Sequence, residues 1–221
     1  MMLGGGPGLP DPAVPRLHLV TDDGVLQDPG FAQKARAVLE EGGEYVALHL
    51  RGPHTRGRDL HDLAAHLREP AALSRSMLLV NDRLDVVLAL GLRGGHLGQR
   101  SLVPEVARKL LGPRRILGLS VHSGSEALEG KGKVLDYLVA GTVYPSSSHP
   151  GGETAGPGRI REIREVTLLP VLAIGGITPG SVVEVMGAGA HGVAVLSGVW
   201  GREDPAAAVR EYLDALREKK P

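Results

Sequence analysis

Two apolar runs in this sequence place chemically active side chains on one alternating face. In ILGLSVH the apolar residues alternate with Ser120 and His122, and in VALHLR they alternate with His49 and Arg51. Successive side chains of a strand point to opposite faces, so each run has one apolar face and one polar face. An imidazole can move protons near neutral pH, and a guanidinium pairs with carboxylate or phosphate oxygens. The pattern predicts acid–base chemistry on an anionic ligand. A histidine satisfied by a neighbour at the rim of the fold is the alternative.

Two glycine-rich segments, GGITPGS and SGVWG, each follow an apolar run late in the chain. Glycine lets backbone N–H groups approach an oxyanion closely, and the N-terminus of a following helix favours negative charge. The segments therefore predict a phosphate site built from Gly175, Gly176, Ser197 and Gly198. Two glycine-rich turns without a ligand are the alternative.

The elements that would position these residues alternate between strand-like and helix-like periods. The strand candidates are residues 17–22, 45–50, 77–82, 94–99, 116–122, 136–144, 170–176 and 191–198. Helical candidates between them include PGFAQKARAVLEEGG, RDLHDLAAHLRE, VPEVARKLLG, SVVEVMGAGA and DPAAAVREYLDALREKK. Eight strand–helix repeats predict an α/β fold, a single (β/α)8 TIM barrel over residues 16–221. An open doubly wound sheet is the alternative.

Polar side chains gather where the predicted strands end, at the end of a barrel that carries active sites. They are Asp22, Arg51, Asn81, Asp82, Gln99, His122 and Ser197. The carboxylates of Asp22 and Asp82 could hold Mg²⁺. Alternatively, Asp82 caps the helix that begins near Leu84. His61 and His66 fall on a predicted helix and are expected at its surface.

The composition excludes several classes of function. The chain has 221 residues, no cysteine and a formal net charge of zero. Cysteine chemistry is therefore excluded, and neither nucleic-acid binding nor membrane-surface binding is indicated. Residues 1–15 are predicted to be a flexible tail rather than a secretory signal, with a cytoplasmic location. The long loop 145–158 could close over a site, and its His149 is expected in solvent.

The ordered set of motifs resembles a known family. From about Leu17 to Leu216 the chain carries LHLVTD, ALHLR, VNDRLDVVLALG, GGHLGQ, LGLSVHSGSEA, GTVYPSSS, PVLAIGGITP and GVAVLSGVWG in family order. This set is similar to thiamine phosphate synthase and to its close relative, the TenI-like thiazole tautomerase. The resemblance implies a barrel enzyme of thiamine biosynthesis that acts on a small phosphorylated thiazole.

Departures from the synthase pattern distinguish the two activities. Synthases carry Gln-x-Arg-x-Lys after the second strand to hold a diphosphate, whereas residues 49–53 here read HLRGP. Ser101 stands where the synthase has its second Mg²⁺-binding aspartate, and His149 replaces the lysine of its YPTxTK loop. A diphosphate leaving group needs such charge stabilisation. Proton transfer on a monophosphate does not, so the departures favour the tautomerase.

The resemblance thus implies an isomerase that aromatises a thiazole carboxylate phosphate, with His122 as the catalytic acid and base. The predicted substrate-binding residues are His49, Arg51, Asn81, Ser120, Gly175, Gly176, Ser197 and Gly198. No cofactor, no metal, no nucleic acid and no membrane are expected, and a homo-oligomer is left open. Two alternatives remain: thiamine phosphate synthase, which joins hydroxymethylpyrimidine diphosphate to thiazole phosphate, and a non-catalytic regulator that binds a thiazole phosphate.

Overall fold

The chain folds into a closed barrel of eight parallel strands. A computed structural model describes residues 14–99, 101–129, 134–146 and 154–218. The strands are β1 (Leu17–Val20), β2 (Val46–Leu50), β3 (Met77–Asn81), β4 (Gly94–Leu97), β5 (Ile116–Val121), β6 (Tyr137–Ala140), β7 (Val171–Ile174) and β8 (Gly192–Val195). Each strand pairs with the next, and β8 pairs with β1. The predicted (β/α)8 barrel is confirmed, and the open sheet is wrong.

Helices follow the strands and form the outer layer. They are α1 (Asp23–Gln27), α2 (Phe31–Gly42), α3 (Gly57–Ser74), α4 (Leu84–Leu90), α5 (Pro104–Leu111), α6 (Gly124–Glu129), α7 (Gly158–Val166), α8 (Pro179–Gly187), α9 (Ser197–Trp200) and α10 (Pro205–Arg217). A 3₁₀ turn, Gly43–Tyr45, precedes β2. The sequence pattern does not predict α1 and α9, because five and four residues are too few to show a helical period.

All eight predicted strands are present, but several end earlier than expected. The largest difference is β6, which was expected over 136–144 and ends at Ala140. Beyond it, the backbone N–H groups of Val143 and Tyr144 donate to the carbonyls of Ile174 and Gly175, at 2.9 and 3.0 Å. This stretch therefore stays attached to the end of β7, in irregular form, at the mouth of the barrel.

The alternation predicted for β2 and β5 is confirmed. Leu48, Leu50 and Leu117 are buried in the layer between the sheet and the helices. Ala47 lies instead among the residues that fill the barrel. The other interior residues are Val20, Met77, Leu79, Ile116, Tyr137, Val139, Leu172 and Ala194. The barrel is thus a filled core, and the buried side chains of His18, His49 and His96 lie within it.

An ion pair fastens the opposite, N-terminal end of the barrel. Arg108 on α5 donates to the Asp136 carboxylate at 2.6 Å and to the Arg115 carbonyl at 2.6 Å. Asp136 also accepts the backbone N–H of Leu117 at 2.7 Å. These bonds hold the starts of β5 and β6 together, a stabilising role at the end remote from the predicted site.

The predicted tail, residues 1–15, lies mostly outside the described residues. The last two residues of that range are tied to the barrel floor: the carbonyls of Val14 and Pro15 accept from His191 and His18, at 2.9 and 3.1 Å. None of the described helices combines the length and apolar character that a bilayer crossing requires.

Candidate active site

The parallel sheet brings the C-terminal ends of all eight strands to one mouth. Strand β3 ends there with Asn81, and Arg51 and His122 come directly after β2 and β5. The glycine-rich segments after β7 and β8 open on the same end. The sequence-predicted site residues therefore share one end of the barrel, either at its surface or just inside it.

His122 is an exposed imidazole whose Nδ1 is held by two neighbours. Its side chain is 46% exposed. Gln99 Nε2, in the loop two residues after β4, lies 2.8 Å from Nδ1, and Glu126 Oε2 lies 3.3 Å from the same atom. Glu126 also accepts the backbone N–H of His122 at 2.8 Å. The Glu126 carboxylate only accepts, so Nδ1 carries the proton and the Gln99 amide turns its oxygen toward it. Nε2 is then the ring nitrogen whose lone pair is left for a ligand.

Glu126 is a site residue that the sequence reasoning missed. Partial burial raises the pKa of its carboxyl, but hydrogen bonds from the backbone and ring of His122 outweigh this and leave the pKa below its ordinary value. The carboxylate is thus ionised at neutral pH and can stabilise an imidazolium on His122. The available signal was its spacing, because residues i and i+4 become neighbours where a helix begins.

His49 lies inside the barrel, below the mouth, with both ring nitrogens occupied. It is 1% exposed. Its Nε2 lies 2.7 Å from His18 Nδ1, and its Nδ1 lies 3.0 Å from Asn81 Oδ1. Substrate binding by His49 remains a prediction, and this geometry gives it an indirect route through Asn81.

Ser120 has a similar buried partner. Its hydroxyl lies 2.8 Å from His96 Nε2, and His96 Nδ1 lies 3.1 Å from the Tyr137 hydroxyl. Gly118 makes room for this arrangement, because a side chain there would collide with the Tyr137 ring. The sequence reasoning missed His18, His96 and Tyr137.

Arg51 provides positive charge above these rings. Its backbone N–H donates to the Thr21 hydroxyl at 2.9 Å, and that hydroxyl lies 2.9 Å from the Arg51 carbonyl. Its guanidinium makes no hydrogen bond or ion pair with any residue in the described part of the chain. Burial lowers the pKa of His96 most, followed by the nearby His49 and then by the positive charge of Arg51. The guanidinium is therefore close enough to disfavour protonation of His96.

The two glycine-rich segments are joined by Tyr212 of α10. Its hydroxyl donates to the Ile177 carbonyl at 2.7 Å and lies against Gly198, where a Cβ would collide with it. Gly175 and Gly176 have φ angles of 103° and 61°, in the left-handed region that favours glycine. The short helix α9 begins at Ser197, so backbone N–H groups from both segments lie at the mouth.

Asp82 does not cap α4, so that alternative is wrong. Its carboxylate accepts the Gly98 backbone N–H at 3.0 Å and a short hydrogen bond from the Ser101 hydroxyl. The carboxylate is thereby turned across to the loop after β4. In the described ranges, no group of three or more histidines and carboxylates is arranged to hold a metal ion.

The loop 145–158 is fastened at its far end. The backbone N–H groups of Ala155 and Gly156 donate to the carbonyls of Thr142 and Val143, at 3.2 and 3.0 Å. Residues 147–153, including His149, lie outside the described residues. Closure of this loop over the site stays a prediction.

Known proteins resemble this chain in sequence and fold over nearly the whole barrel. The sequence profile of the family described as "Thiamine monophosphate synthase" matches residues 17–199. A "Thiamine-phosphate synthase" of Desulfitobacterium hafniense (strain Y51) is 38% identical over 202 residues, covering 91% of this chain and 97% of the relative.

Two further relatives extend this comparison. The "Thiamine biosynthesis bifunctional protein ThiM/ThiE" of Symbiobacterium thermophilum is 44% identical over 160 residues, which cover 72% of this chain and about a third of that longer protein. The solved structure of thiamine phosphate pyrophosphorylase from Pyrococcus furiosus superposes with a TM-score of 0.78 at 33% identity, covering 91% of this chain and 95% of that one. The chain belongs to the thiamine monophosphate synthase family, a family of thiamine biosynthesis enzymes.

Proposed function

We propose that this chain is a thiazole tautomerase that aromatises a thiazole carboxylate phosphate. The observation that supports this most is the setting of His122. Its Nδ1–H faces the ionised Glu126 at 3.3 Å, and the Gln99 amide, turned so that its oxygen faces Nδ1, accepts from the same N–H. Its Nε2 then carries the lone pair and makes no hydrogen bond with the described residues. An imidazole oriented in this way by a carboxylate is suited to take up and return a proton.

The reaction needs one base and one acid, and His122 serves as both. Its Nε2 lone pair removes the proton from C2 of the dihydro ring, and the freed electron pair moves into the ring. The exocyclic carbon then takes a proton back from the imidazolium. Reactant and product have the same atoms, so no oxidant or leaving group is needed. Acid–base catalysis of this kind typically contributes about 10²–10⁴-fold.

The remaining predicted residues bind and orient the ligand. Arg51, which has no charged partner among the described residues, would form a two-pronged pair with the carboxylate. The backbone of Gly175, Gly176, Ser197 and Gly198 would hold the phosphate, as loops after the seventh and eighth strands do in barrels of this type. Asn81 and Ser120 would contact the ring.

The charges at the mouth favour this reaction over diphosphate displacement. A departing diphosphate requires cations or Mg²⁺ to offset its developing charge. Here Pro53 stands in place of the lysine that the synthase pattern carries, and the carboxylate of Asp82 is bonded to Ser101. A monophosphate can be bound by neutral backbone donors with the single guanidinium of Arg51.

Thiamine phosphate synthase is the second candidate, and a specific observation favours it. The relatives that cover the chain almost completely are named for that activity, at 33–38% identity. In this case Asp82 alone would supply protein carboxylate to Mg²⁺, and Arg51 alone would contact the diphosphate.

One experiment distinguishes the candidates. The purified protein is supplied with the thiazole carboxylate phosphate tautomer, and aromatisation is followed by NMR. In parallel, it is given the aromatic thiazole phosphate, hydroxymethylpyrimidine diphosphate and Mg²⁺, and thiamine phosphate is measured. We expect aromatisation in the first reaction, lowered on the order of 100-fold or more by His122→Ala, whereas the exposed His66→Ala control keeps the wild-type rate.

Each other outcome points to a different function. Thiamine phosphate formed in the second reaction, without aromatisation in the first, would replace the tautomerase by the synthase. Binding of the thiazole phosphate with neither reaction would favour the non-catalytic regulator.

A further inference from the structure

Four polar rings lie inside the barrel, between the floor at Pro15 and the level of Asn81 and Ser120 near the mouth, and take no part in the chemistry described above. His18, His49, His96 and Tyr137 are each at most 3% exposed. In five of their six pairs, the ring centroids lie between 4.9 and 6.4 Å apart. Their hydrogen bonds form two separate chains. The first chain runs from the Pro15 carbonyl through His18 and His49 to Asn81, and the second runs from Tyr137 through His96 to Ser120.

The rings are uncharged at neutral pH. Burial lowers the pKa of His49 to about 4 and lowers those of His18 and His96 well below 6.5. Burial also raises the pKa of Tyr137 well above its ordinary value. A neutral imidazole has one N–H donor and one lone pair, so a proton placed on one ring determines the next hydrogen bond in its chain.

The Pro15 carbonyl fixes the direction of the first chain. A carbonyl oxygen only accepts, so His18 Nε2, 3.1 Å away, carries the proton. His18 Nδ1 is then a lone pair, and the proton of the 2.7 Å bond between the rings belongs to His49 Nε2. This leaves a lone pair on His49 Nδ1. Reversing the chain would place two acceptors face to face at Pro15.

The last bond of this chain orients Asn81. His49 Nδ1 lies 3.0 Å from Asn81 Oδ1, and two acceptors would repel there. A half-turn of the side-chain amide exchanges its oxygen and nitrogen positions. The amide N–H then donates to His49, and the amide oxygen points away from it.

The Tyr137 hydroxyl fixes the second chain. His96 is its hydrogen-bond partner among the described residues, at 3.1 Å, and a buried O–H without an acceptor is costly. The phenol therefore donates to His96 Nδ1, and His96 Nε2–H donates to the Ser120 hydroxyl oxygen at 2.8 Å. The hydroxyl hydrogen of Ser120 is left free to point elsewhere.

We propose that His18, His49, His96 and Tyr137 are positioning residues that fix which atoms the mouth offers to a ligand: the amide oxygen of Asn81 as an acceptor and the hydroxyl hydrogen of Ser120 as a donor. None of the four needs to touch the ligand. The inference rests on the proposed function only for the identity of that ligand. The free hydroxyl hydrogen of Ser120 selects a ligand ring whose edge toward Ser120 accepts a hydrogen bond.

The proton positions can be measured without any substrate. Long-range ¹H–¹⁵N NMR spectra of protein labelled at histidine distinguish Nε2–H, Nδ1–H and imidazolium rings, and single replacements assign the signals. We expect His18, His49 and His96 all to be neutral Nε2–H tautomers at pH 7. An Nδ1–H form or an imidazolium at any of the three would overturn the proposal.

His18 provides the test of positioning, because it reaches Asn81 only through His49. In His18→Phe the Pro15 carbonyl no longer directs the chain, and His49 is free to shift its proton to Nδ1 and meet the Asn81 oxygen. We expect the His49 signal to change to the Nδ1–H form. Affinity for the aromatic thiazole carboxylate phosphate should weaken about 5-fold, the usual worth of one neutral hydrogen bond.

A matched variant separates positioning from general damage. In His18→Gln the amide can donate to Pro15 and accept from His49, so the Nε2–H form of His49 and wild-type affinity should both return. Equal losses in the Phe and Gln variants, with the His49 tautomer unchanged, would overturn the positioning role. If His18→Phe does not fold, the wild-type spectrum still decides. If the histidines show the expected Nε2–H forms but the protein has no tautomerase activity, the proposed function is refuted and this inference still holds.

Discussion

Lowering the pH from 7.5 to 5.5 should destabilise this protein sharply through its buried histidines. The pKa of His49 is about 4 in the folded chain against an ordinary 6.5, and those of His18 and His96 are lowered in the same direction. Between the two values the unfolded chain binds protons that the folded chain does not. The free energy of unfolding therefore falls as pH falls below 6.5.

The size of the effect follows from the number of such rings. One pKa unit corresponds to about 1.4 kcal/mol, so each ring that stays neutral in the folded chain removes about 1.4 kcal/mol by pH 5.5. Three rings remove about 4 kcal/mol, a large part of the 5–15 kcal/mol typical of a domain. For His49 alone the loss should level off near its folded pKa, after about 3 kcal/mol.

Urea unfolding followed by circular dichroism at pH 7.5, 6.5 and 5.5 measures this directly. These pH values lie above the range in which most carboxylates titrate. His49→Gln should reduce the pH-dependent loss by about 1.4 kcal/mol, whereas His66→Gln, at an exposed position, should leave it unchanged. The prediction is refuted if the wild-type free energy of unfolding falls by less than about 1 kcal/mol between pH 7.5 and 5.5, or if it falls equally in the wild type and in His49→Gln. Either result would show that the interior rings are already charged or accessible to water.

Three further predictions concern the mouth and the barrel wall. Glu126→Gln removes the charge beside His122 and should lower turnover by about 10-fold or more, with phosphate binding unchanged in a direct titration; an unaltered rate would exclude its role. Tautomerase activity should persist in EDTA, because Ser101 occupies the Asp82 carboxylate; activity lost to EDTA and restored by Mg²⁺ would favour the synthase. Gly118→Ala should lower the free energy of unfolding in urea by about 1–3 kcal/mol, because its Cβ meets the Tyr137 ring. Gly91→Ala should lower it less, because Gly91 has open space around it and only its left-handed backbone disfavours alanine.

Sequence periodicity was sufficient for the barrel and for the residues that continue a clear alternation. The eight apolar runs predict eight strands, and the alternation in β2 and β5 correctly places His49 and Ser120 on the interior face. The positions of the glycine segments after β7 and β8 could also be predicted, since assigning them to the mouth requires only the order of the strands.

The interior rings could not be predicted in the same way, because their relation depends on strand register. His18 and His96 each sit in an otherwise apolar run and look like isolated polar residues. Register pairs Val20 with His49, Asn81 with His96 and Gly118 with Tyr137. Only closure of the sheet, with these offsets, brings residues from six strands into contact.

The polar interior also bears on why the site is organised as it is. Neutral rings in hydrogen-bonded chains avoid the penalty of buried charge, yet replacing both partners of a hydrogen bond by apolar groups of the same shape can be nearly neutral in stability. Such networks are instead suited to holding one defined arrangement of donors and acceptors. The first chain ends at Asn81 and the second at Ser120, both at the mouth. The two chains therefore restrain the side chains that a ligand ring would contact. The acid sensitivity predicted above is then the thermodynamic consequence of keeping these rings uncharged.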